Sequence, residues 1–388
     1  MLFLLSNQKK IMRILIAPDS FKDCLGSLEV ARALASGLRK ILPDAVIRMV
    51  PVADGGEGTV DSIIDATGGQ IMEVPVLDPL LREISSFYGI TGDRSTAVIE
   101  MAAASGLELL EQGERDPWIT STFGTGQLIR HALDQGCKKI LLGIGGSATN
   151  DGGMGMASAM GVRFLDEKGA ALDQGGGALG DLERIEMSEL DPRVGRAVIQ
   201  VACDVDNPLT GPQGASRIYG PQKGADPGMI IKLDRNLTHF ARRIKEQLGK
   251  EISRVPGAGA AGGLGAGLMA FLGARLVKGF DMVAETVNLE EAIKQADLVI
   301  TGEGKMDRQT RFGKTPYGVA QLSGKYGKPV IGVAGIVEDG VEELYGSGFH
   351  VIMPIQEKPC NLAEAIENAS GLLERTGERI ARMIRMQI

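Results

Sequence analysis

Carboxylate side chains recur at one kind of position, the carboxyl end of a short apolar run that predicts a β-strand. Five of them follow or end such a run, and a sixth lies in the loop after another: Asp19, Asp54, Glu100, Asp204, Glu303 and Asp151. In open parallel sheets, ligands bind at the carboxyl ends of the strands. A lone loop carboxylate is usually only solvated, but six in this setting predict a cleft that holds a metal ion and a proton acceptor.

Histidine offers no alternative acid–base group. His131 and His239 lie within predicted helices, and His350 enters a predicted strand. A proton transfer would therefore depend on Asp or Glu, and no Ser–His or Cys–His nucleophilic pair is indicated.

A glycine-rich loop from Gly143 to Gly155, GIGGSATNDGGMG, lies between a predicted strand and a predicted helix. Small residues there let backbone N–H groups approach an anion at a helix N-terminus. The loop is a candidate phosphate site. The alternative is a tight turn that needs glycine only for its geometry.

Two further patterns are weaker. Gly257, Gly259 and Gly262 match G-x-G-x-x-G, but the preceding EISRVP is a poor strand, so the dinucleotide-binding context is missing. The GKT at 313–315 resembles the end of a P-loop, but Arg308 stands where the earlier glycine is required. Three lysines near predicted strand ends remain candidates for phosphate contact, with a solvated surface position as the alternative: Lys22, Lys305 and Lys314.

The elements that would position these residues alternate between strand and helix at both ends of the chain. The predicted strands and helices there are Ile14–Ala17, a helix capped by Ser27, Val46–Val50, a helix through Val60 and Ile64, Asp297–Thr301 followed by the loop GEGKMD, a helix near Pro316, Val330–Ala334, Val351–Ile355 and a helical tail from Leu362. Such alternation predicts a parallel sheet covered by helices.

The middle of the chain differs. Its predicted elements are the strands Ala97–Met101, Ile140–Ile144 and Val198–Cys203, a long helix after Pro227, and a small-residue helix entry at 257–267. The sequence thus predicts an α/β protein of two domains. A parallel-sheet Rossmann- or flavodoxin-like domain is expected from 12–85 and 285–388, a second α/β domain inserted at 86–284, and an N-terminal extension at 1–11. Whether Met1 or Met12 is the natural start stays open, with Met12 as the hypothesis.

Composition excludes several classes of protein. The 388 residues carry a formal net charge of −7 and no dense Lys/Arg stripe, which disfavours non-specific nucleic-acid binding. No apolar stretch is long enough to cross a bilayer. The 4 cysteines lie far apart, which disfavours a disulfide framework or zinc site. These features predict a cytoplasmic protein.

Taken in order, eight segments resemble the bacterial glycerate kinase family of glyoxylate and glucarate catabolism, from Met12 almost to the C-terminus. They are IAPDSFK (16–22), PVADGGEGT (51–59), IEMAAASGL (99–107), GIGGSATNDGG (143–153), ACDVDNPL (202–209), GPQKGA (220–225), PGAGAAGGLGAGL (256–268) and ITGEGKMD (300–307). The resemblance implies phosphorylation of D-glycerate by ATP with Mg²⁺, at a site between the two domains, and favours 2-phosphoglycerate as product.

Roles can be assigned to the candidate residues on this basis, since phosphoryl transfer depends on positioning and charge stabilisation. Asp204 and Asp151 are metal-ligand or general-base candidates, and Lys22 would balance charge in the catalytic step. The candidates for binding substrate are Asp19, Ser20, Asp54, Glu303, Lys305 and Asp307. The candidates for binding nucleotide phosphate are Gly145, Gly146, Ser147, Thr149, Asn150 and Lys314.

Two functions of other classes remain open at this point. One is a nucleotide-dependent oxidoreductase of a small hydroxy acid, which depends on the weak G-x-G-x-x-G match. The other is a two-lobed sugar-acid binding protein without catalysis. The sequence leaves the oligomeric state open.

Overall fold

The structure is a computed structural model that describes residues 11–311 and 313–386. The strands are β1 (Arg13–Ile16), β2 (Val46–Met49), β3 (Gln70–Leu77), β4 (Glu83–Ile90), β5 (Thr96–Glu100), β6 (Lys139–Gly143), β7 (Arg163–Leu165), β8 (Arg184–Glu186), β9 (Val198–Ala202), β10 (Arg275–Val277), β11 (Leu298–Met306), β12 (Val330–Val337) and β13 (Val351–Pro354). The α-helices are α1 (Ser27–Ile41), α2 (Thr59–Thr67), α3 (Ala102–Ser105), α4 (Phe123–Asp134), α5 (Met154–Ala159), α6 (Ala215–Tyr219), α7 (Pro227–Leu248), α8 (Ala260–Leu272), α9 (Gly279–Thr286), α10 (Leu289–Gln295), α11 (Thr315–Lys325), α12 (Leu362–Glu367) and α13 (Ala369–Arg385).

The chain divides into two compact units. One contains the described residues up to Ala53 and those from Ala284 onward, and the other, the inserted unit, is Asp54–Val283. We call the first one the two-ended unit, because both ends of the chain build it. The predicted N-terminal extension at 1–11 lies almost wholly outside the described residues.

The two-ended unit is built on a five-stranded parallel sheet with the order β13-β12-β11-β1-β2. Counted within this unit alone, that order is 2-1-3-4-5 read from β2, the flavodoxin-like arrangement. This confirms the predicted fold class. Ile14, Ile16 and Ile300 on the sheet pack against Leu34 and Leu373 on the helices. In this topology the order reverses between β1 and β11, so a ligand site is expected at their carboxyl ends.

The inserted unit contains a six-stranded mixed sheet with the order β10-β9-β6-β5-β4-β3. Strands β5, β6, β9 and β10 run parallel, and the hairpin β3–β4 is added antiparallel at one edge. The strands β7 and β8 form a separate small ribbon. The core lies between the sheet and its helices, with Phe164, Phe240 and Phe271 packed edge-on and tilted against one another.

Three local expectations differ from the structure. The first boundary between the units lies at Ala53/Asp54, not near residue 85, because the β3–β4 hairpin pairs with β5 and so belongs to the inserted unit. Helix α1 has Gly26 at its N-cap, not Ser27, and the Glu29 carboxylate accepts the Gly26 N–H at 2.9 Å.

The third difference concerns the segment GEGKMD, which was predicted to be a loop. Most of it continues β11 to Met306, since β12 extends to Val337 and pairs with it along this length. Glycine at 302 allows the close pairing, because a Cβ there would stand 2.2 Å from the Val333 carbonyl oxygen. Within the part of the chain that the structure describes, no helix is both long and apolar enough to cross a membrane.

Candidate active site

A cavity of about 270 Å³ lies in the inserted unit at the carboxyl ends of β6 and β9. Its walls come from five separate stretches of chain: Asp54–Gly56, Ile144–Ser147, Ala202–Val205, Tyr219 with Gln222, and Ala260–Ala261. Parallel strands end here together, which is where open α/β sheets bind ligands. The cavity brings together five predicted site residues: Asp54, Gly145, Gly146, Ser147 and Asp204.

The glycine-rich loop after β6 is held open towards the cavity. The Leu107 N–H donates to the Gly146 carbonyl at 2.8 Å, and the Ala148 N–H donates to the Ser105 carbonyl at 3.0 Å. Gly146 has φ of +70°, a conformation that favours glycine. These contacts fix the backbone of the loop. Gly145, Gly146 and Ser147 then form one part of the cavity wall.

The second glycine-rich segment adds Ala260 and Ala261 to the cavity wall, a role that the G-x-G-x-x-G match did not predict. Residues 261–263 all have positive φ at the start of α8. A Cβ at Gly262 would stand 1.9 Å from the Thr149 carbonyl oxygen. Glycine is needed because this turn packs directly on the first glycine-rich loop. The alternation of glycine and alanine in 256–268 is the sequence feature that could have predicted this close packing.

The cavity wall carries two carboxylates. Asp204 is exposed to solvent, and its Oδ1 accepts the Gly279 N–H at 3.1 Å. Although the residue as a whole is exposed, its carboxyl group is partly enclosed by the surrounding protein, which raises its pKa; the Gly279 N–H opposes the rise and the charge of Asp54 adds to it. Asp54 is half-buried, with Oδ1 3.1 Å from the Gly56 nitrogen. Two carboxylates on the wall of one cavity form a candidate cation site.

Asp151 occupies a different environment from Asp204. It is fully buried, and its carboxylate accepts the backbone N–H groups of Thr122 (2.8 Å), Gly153 (3.0 Å) and Gly155 (3.1 Å) and the Thr122 hydroxyl (2.8 Å). Burial raises the pKa of the Asp151 carboxyl, and these donors oppose the rise. Its oxygens are already used within the fold, so the predicted metal or base role does not fit this geometry.

Thr149 and Asn150, two predicted phosphate-binding residues, are also fully buried and do not line the cavity. The Asn150 side-chain amide donates to the Ser216 hydroxyl at 3.0 Å. Both side chains are buried within the fold and do not face the cavity.

Glu100 ends β5, and its carboxylate accepts the Val60 N–H at 2.9 Å at the start of α2. Burial raises the pKa of Glu100 to about 7, although that N–H opposes the shift. The Glu100 carboxylate therefore stabilises the N-terminus of α2, which is a structural role.

The raised pKa of Glu100 predicts a pH-dependent stability. The folded protein holds this proton up to about pH 7, whereas an unfolded glutamate releases it near ~4.3. The contribution to stability is therefore present at low pH and lost as pH rises from about 4 to about 7. Glu100→Gln is expected to remove this pH-dependent loss of stability, which is at most about 4 kcal/mol. Calorimetric melting at pH 5 and pH 8 measures it, with Glu108→Gln as an exposed control. Equal pH dependence in wild type and Glu100→Gln would contradict the expectation.

The two-ended unit brings a second set of predicted residues to the carboxyl ends of β1 and β11. The Asp19 N–H donates to the Gly302 carbonyl at 2.8 Å, which places the residues after β1 beside β11. Asp19 Oδ1 accepts the Ser20 N–H at 2.7 Å, and Lys22 is exposed. This is the point where the strand order reverses.

On β11 itself, Glu303 is 7% exposed and accepts from the Thr310 hydroxyl at 2.7 Å and the Lys314 ammonium at 2.9 Å. Burial raises the pKa of the Glu303 carboxyl, and Lys314 opposes the rise. Lys305 is on the exposed side and pairs with Glu338 at 2.8 Å and with Asp307 at 3.5 Å. Two of the three lysines predicted to contact phosphate, Lys305 and Lys314, thus form ion pairs within this unit.

The donor set fits a hard divalent cation. Mg²⁺ takes oxygen ligands and is often held by only one or two carboxylates, with phosphate and water completing its shell. Asp54 and Asp204 offer that set on one cavity wall. Across residues 11–311 and 313–386, no group of three or more His, Cys, Asp and Glu side chains is placed to hold a metal by itself. A cation here would therefore depend on ligand oxygens.

The chain is similar along almost its whole length to proteins named as glycerate kinases. A sequence model described as the glycerate kinase family matches residues 14–385. A protein named glycerate kinase from Halalkalibacterium halodurans is 52% identical over 368 residues, covering 95% of this chain and 97% of that protein. A protein named glycerate 2-kinase from Escherichia coli K12 is 51% identical, covering 95% and 97%. A crystal structure described as glycerate kinase 2 of Salmonella typhimurium LT2 superposes with a TM-score of 0.91 at 48% identity, covering 97% and 99%.

Proposed function

The chain belongs to the glycerate kinase family and is a kinase, and on that premise we propose that it transfers the γ-phosphoryl group of ATP to the 2-hydroxyl of D-glycerate. The oxidoreductase and the non-catalytic binding protein are set aside, because family membership gives a kinase. The predicted location of the reaction in a cleft between two domains stays a prediction.

The observation that carries the proposal is the cavity of the inserted unit. Two glycine-rich walls and two carboxylates meet at the carboxyl ends of β6 and β9. Backbone N–H groups and small residues suit phosphate oxygens, which need close approach and many donors. The nucleotide phosphates would lie along Gly145, Gly146 and Ser147, with the carboxylates on the metal side.

The cation would be held by Asp204 and Asp54, together with phosphate oxygens. When bound, Mg²⁺ neutralises part of the charge on the phosphoryl group. Asp204 is also the candidate that can accept the substrate hydroxyl proton, since it is open to solvent and its pKa is raised. Asp151 is not retained in either role; it fixes the glycine-rich loop instead.

The residues of the two-ended unit are proposed to bind glycerate. An ammonium such as Lys22, exposed after β1, suits the carboxylate of the substrate. Asp19 and Ser20 would orient the hydroxyl groups. Glu303 holds Lys314 by the ion pair described above, and Lys305 and Asp307 lie at the end of the same strand. These assignments are predictions that single substitutions can test.

Product identity tests the proposal. The 2-phosphate is favoured because a relative at 51% identity carries the name glycerate 2-kinase, and because a carboxylate gripped close to the base would present the adjacent hydroxyl. We expect ADP release only when D-glycerate, ATP and Mg²⁺ are all present, and a phosphorus doublet in the proton-coupled NMR spectrum of the product.

The substrate assignment and the choice of the 2-hydroxyl are contradicted by different results. ADP release that is the same with and without glycerate would overturn the kinase assignment for this substrate. A phosphorus triplet would show phosphate on the terminal CH₂ group, which would overturn the 2-hydroxyl choice alone. Omitting Mg²⁺ serves as the control for the metal requirement.

A further inference from the structure

Lys223 is a fully buried lysine behind the cavity, with 1% of its surface exposed. Its ammonium group donates to the Ser147 hydroxyl oxygen at 2.6 Å and to the Thr149 carbonyl oxygen at 2.7 Å. Burial lowers the pKa of Lys223 to about 7, and the charge of Asp151 opposes the shift. None of the roles given above uses this side chain.

Stability does not explain a lysine at this position. Taking an ammonium out of water costs several kcal/mol, and well-packed apolar residues of similar size often replace buried charges without loss. Lys223 ends a short 3-10 turn, Pro221–Lys223, that also places Gln222 on the cavity wall. The lysine therefore lies in an element that builds the site, which favours a role in ligand binding.

The hydrogen bond to Ser147 restricts what that hydroxyl can do. A serine hydroxyl has one proton to donate and two lone pairs to accept. Because Lys223 donates to Ser147 Oγ, one lone pair is occupied and the serine proton is left for another acceptor. Ser147 lines the cavity. The pair therefore presents an O–H donor to whatever occupies the cavity, and the protonated form of Lys223 places a positive charge directly behind that donor.

We propose that Lys223 is a positioning residue that acts through Ser147, holding its hydroxyl as a donor to a phosphoryl oxygen of the bound nucleotide. The inference rests on the proposed nucleotide site. The anion is expected to prefer this wall because a donor polarised by a neighbouring cation makes a stronger hydrogen bond than a neutral one.

A double-mutant cycle on nucleotide affinity tests the proposal. ADP with Mg²⁺ is titrated calorimetrically into wild type, Lys223→Met, Ser147→Ala and the double variant. Each single change is expected to weaken binding about tenfold or more, as for a lost charge-assisted hydrogen bond. The double variant should bind no more weakly than Ser147→Ala alone, because Lys223 acts only through Ser147.

Ser216→Ala is the matched control. Ser216 is fully buried and accepts a hydrogen bond from Asn150, but it does not line the cavity. Its loss should leave ADP affinity within about twofold of wild type, because the Ser216 side chain is not part of the cavity wall. If Ser216→Ala and Lys223→Met weaken ADP binding to a comparable extent, the cause is a general loosening of the buried residues behind the cavity. That result would overturn the proposal.

A second measurement keeps the test open if Lys223→Met does not fold. In wild type labelled with ¹⁵N-lysine, the buried ammonium of Lys223 should give a protected Nζ signal that shifts when ADP is added. The shift should be absent in Ser147→Ala. An Nζ signal that ignores ADP, or additive losses in the cycle, would overturn the role of Lys223. Failure of wild type to bind ADP would instead count against the proposed nucleotide site.

Discussion

Asp204→Asn is expected to lower kcat by about 10²–10⁴-fold, the range for loss of a positioned general base. Asp204 is exposed on the cavity wall, and the carboxylate oxygen that accepts the Gly279 N–H has a counterpart in the asparagine carbonyl. The change therefore removes the negative charge and the proton acceptor while keeping size and the hydrogen bond. The melting temperature should stay close to that of wild type, which separates chemistry from folding.

Asp206→Asn is the matched control for this experiment. Asp206 lies two residues further along the same loop, is also exposed, and is not part of the cavity wall. Its turnover should resemble that of wild type in the coupled ADP assay. Near-normal kcat in Asp204→Asn would remove Asp204 from the reaction, and similar losses in both variants would indicate that the loop as a whole was disturbed.

Asp151→Asn is expected to lower the stability of the protein, in contrast to Asp204→Asn. Losing a buried hydrogen bond to a charged group typically costs about 1.5–3 kcal/mol. An asparagine would turn an NH₂ group towards at least one of the donors from Thr122, Gly153 and Gly155, all of which now donate to the carboxylate. It would also remove the negative charge near Lys223. A fall in Tm of roughly 10 °C is expected for a unit of this size.

Scanning calorimetry and the ADP assay should be run together on this variant. At a temperature where Asp151→Asn is still folded, its kcat should be reduced far less than that of Asp204→Asn. An unchanged Tm with a large loss of kcat would reverse our assignment and restore Asp151 as the metal ligand or base that the sequence predicted. Comparing Asp151→Asn with Asp204→Asn therefore distinguishes a structural from a catalytic carboxylate.

The class of fold and the approximate place of the candidate site could be predicted from the sequence. The periodicity in α1 and the apolar runs of β1 and β11 depend on neighbours within a few residues, so local patterns report them. The rule that ligands bind at the carboxyl ends of parallel strands then placed Asp54 and Asp204 near a site without knowledge of the fold. The cavity of the inserted unit does contain both.

The boundaries and the weaker glycine motif could not be predicted in the same way. Glycines in GEGKMD are typical of a loop, but pairing with β12 makes most of the segment a strand. The 257–267 segment forms a cavity wall because it packs on Thr149, more than 100 residues earlier in the chain, at Gly262. Tertiary contacts override local propensity in both places.

The sequence by itself determined which residue types were present and the family to which they belong, because motifs and their order are properties of the chain. Only the tertiary structure decided that Asp204 is exposed whereas Asp151 is buried, and that Lys223 stands behind Ser147. The physical reason is that the protonation, hydrogen bonding and accessibility of a side chain depend on groups brought close by folding. For Ser147 that group lies 76 positions away along the chain.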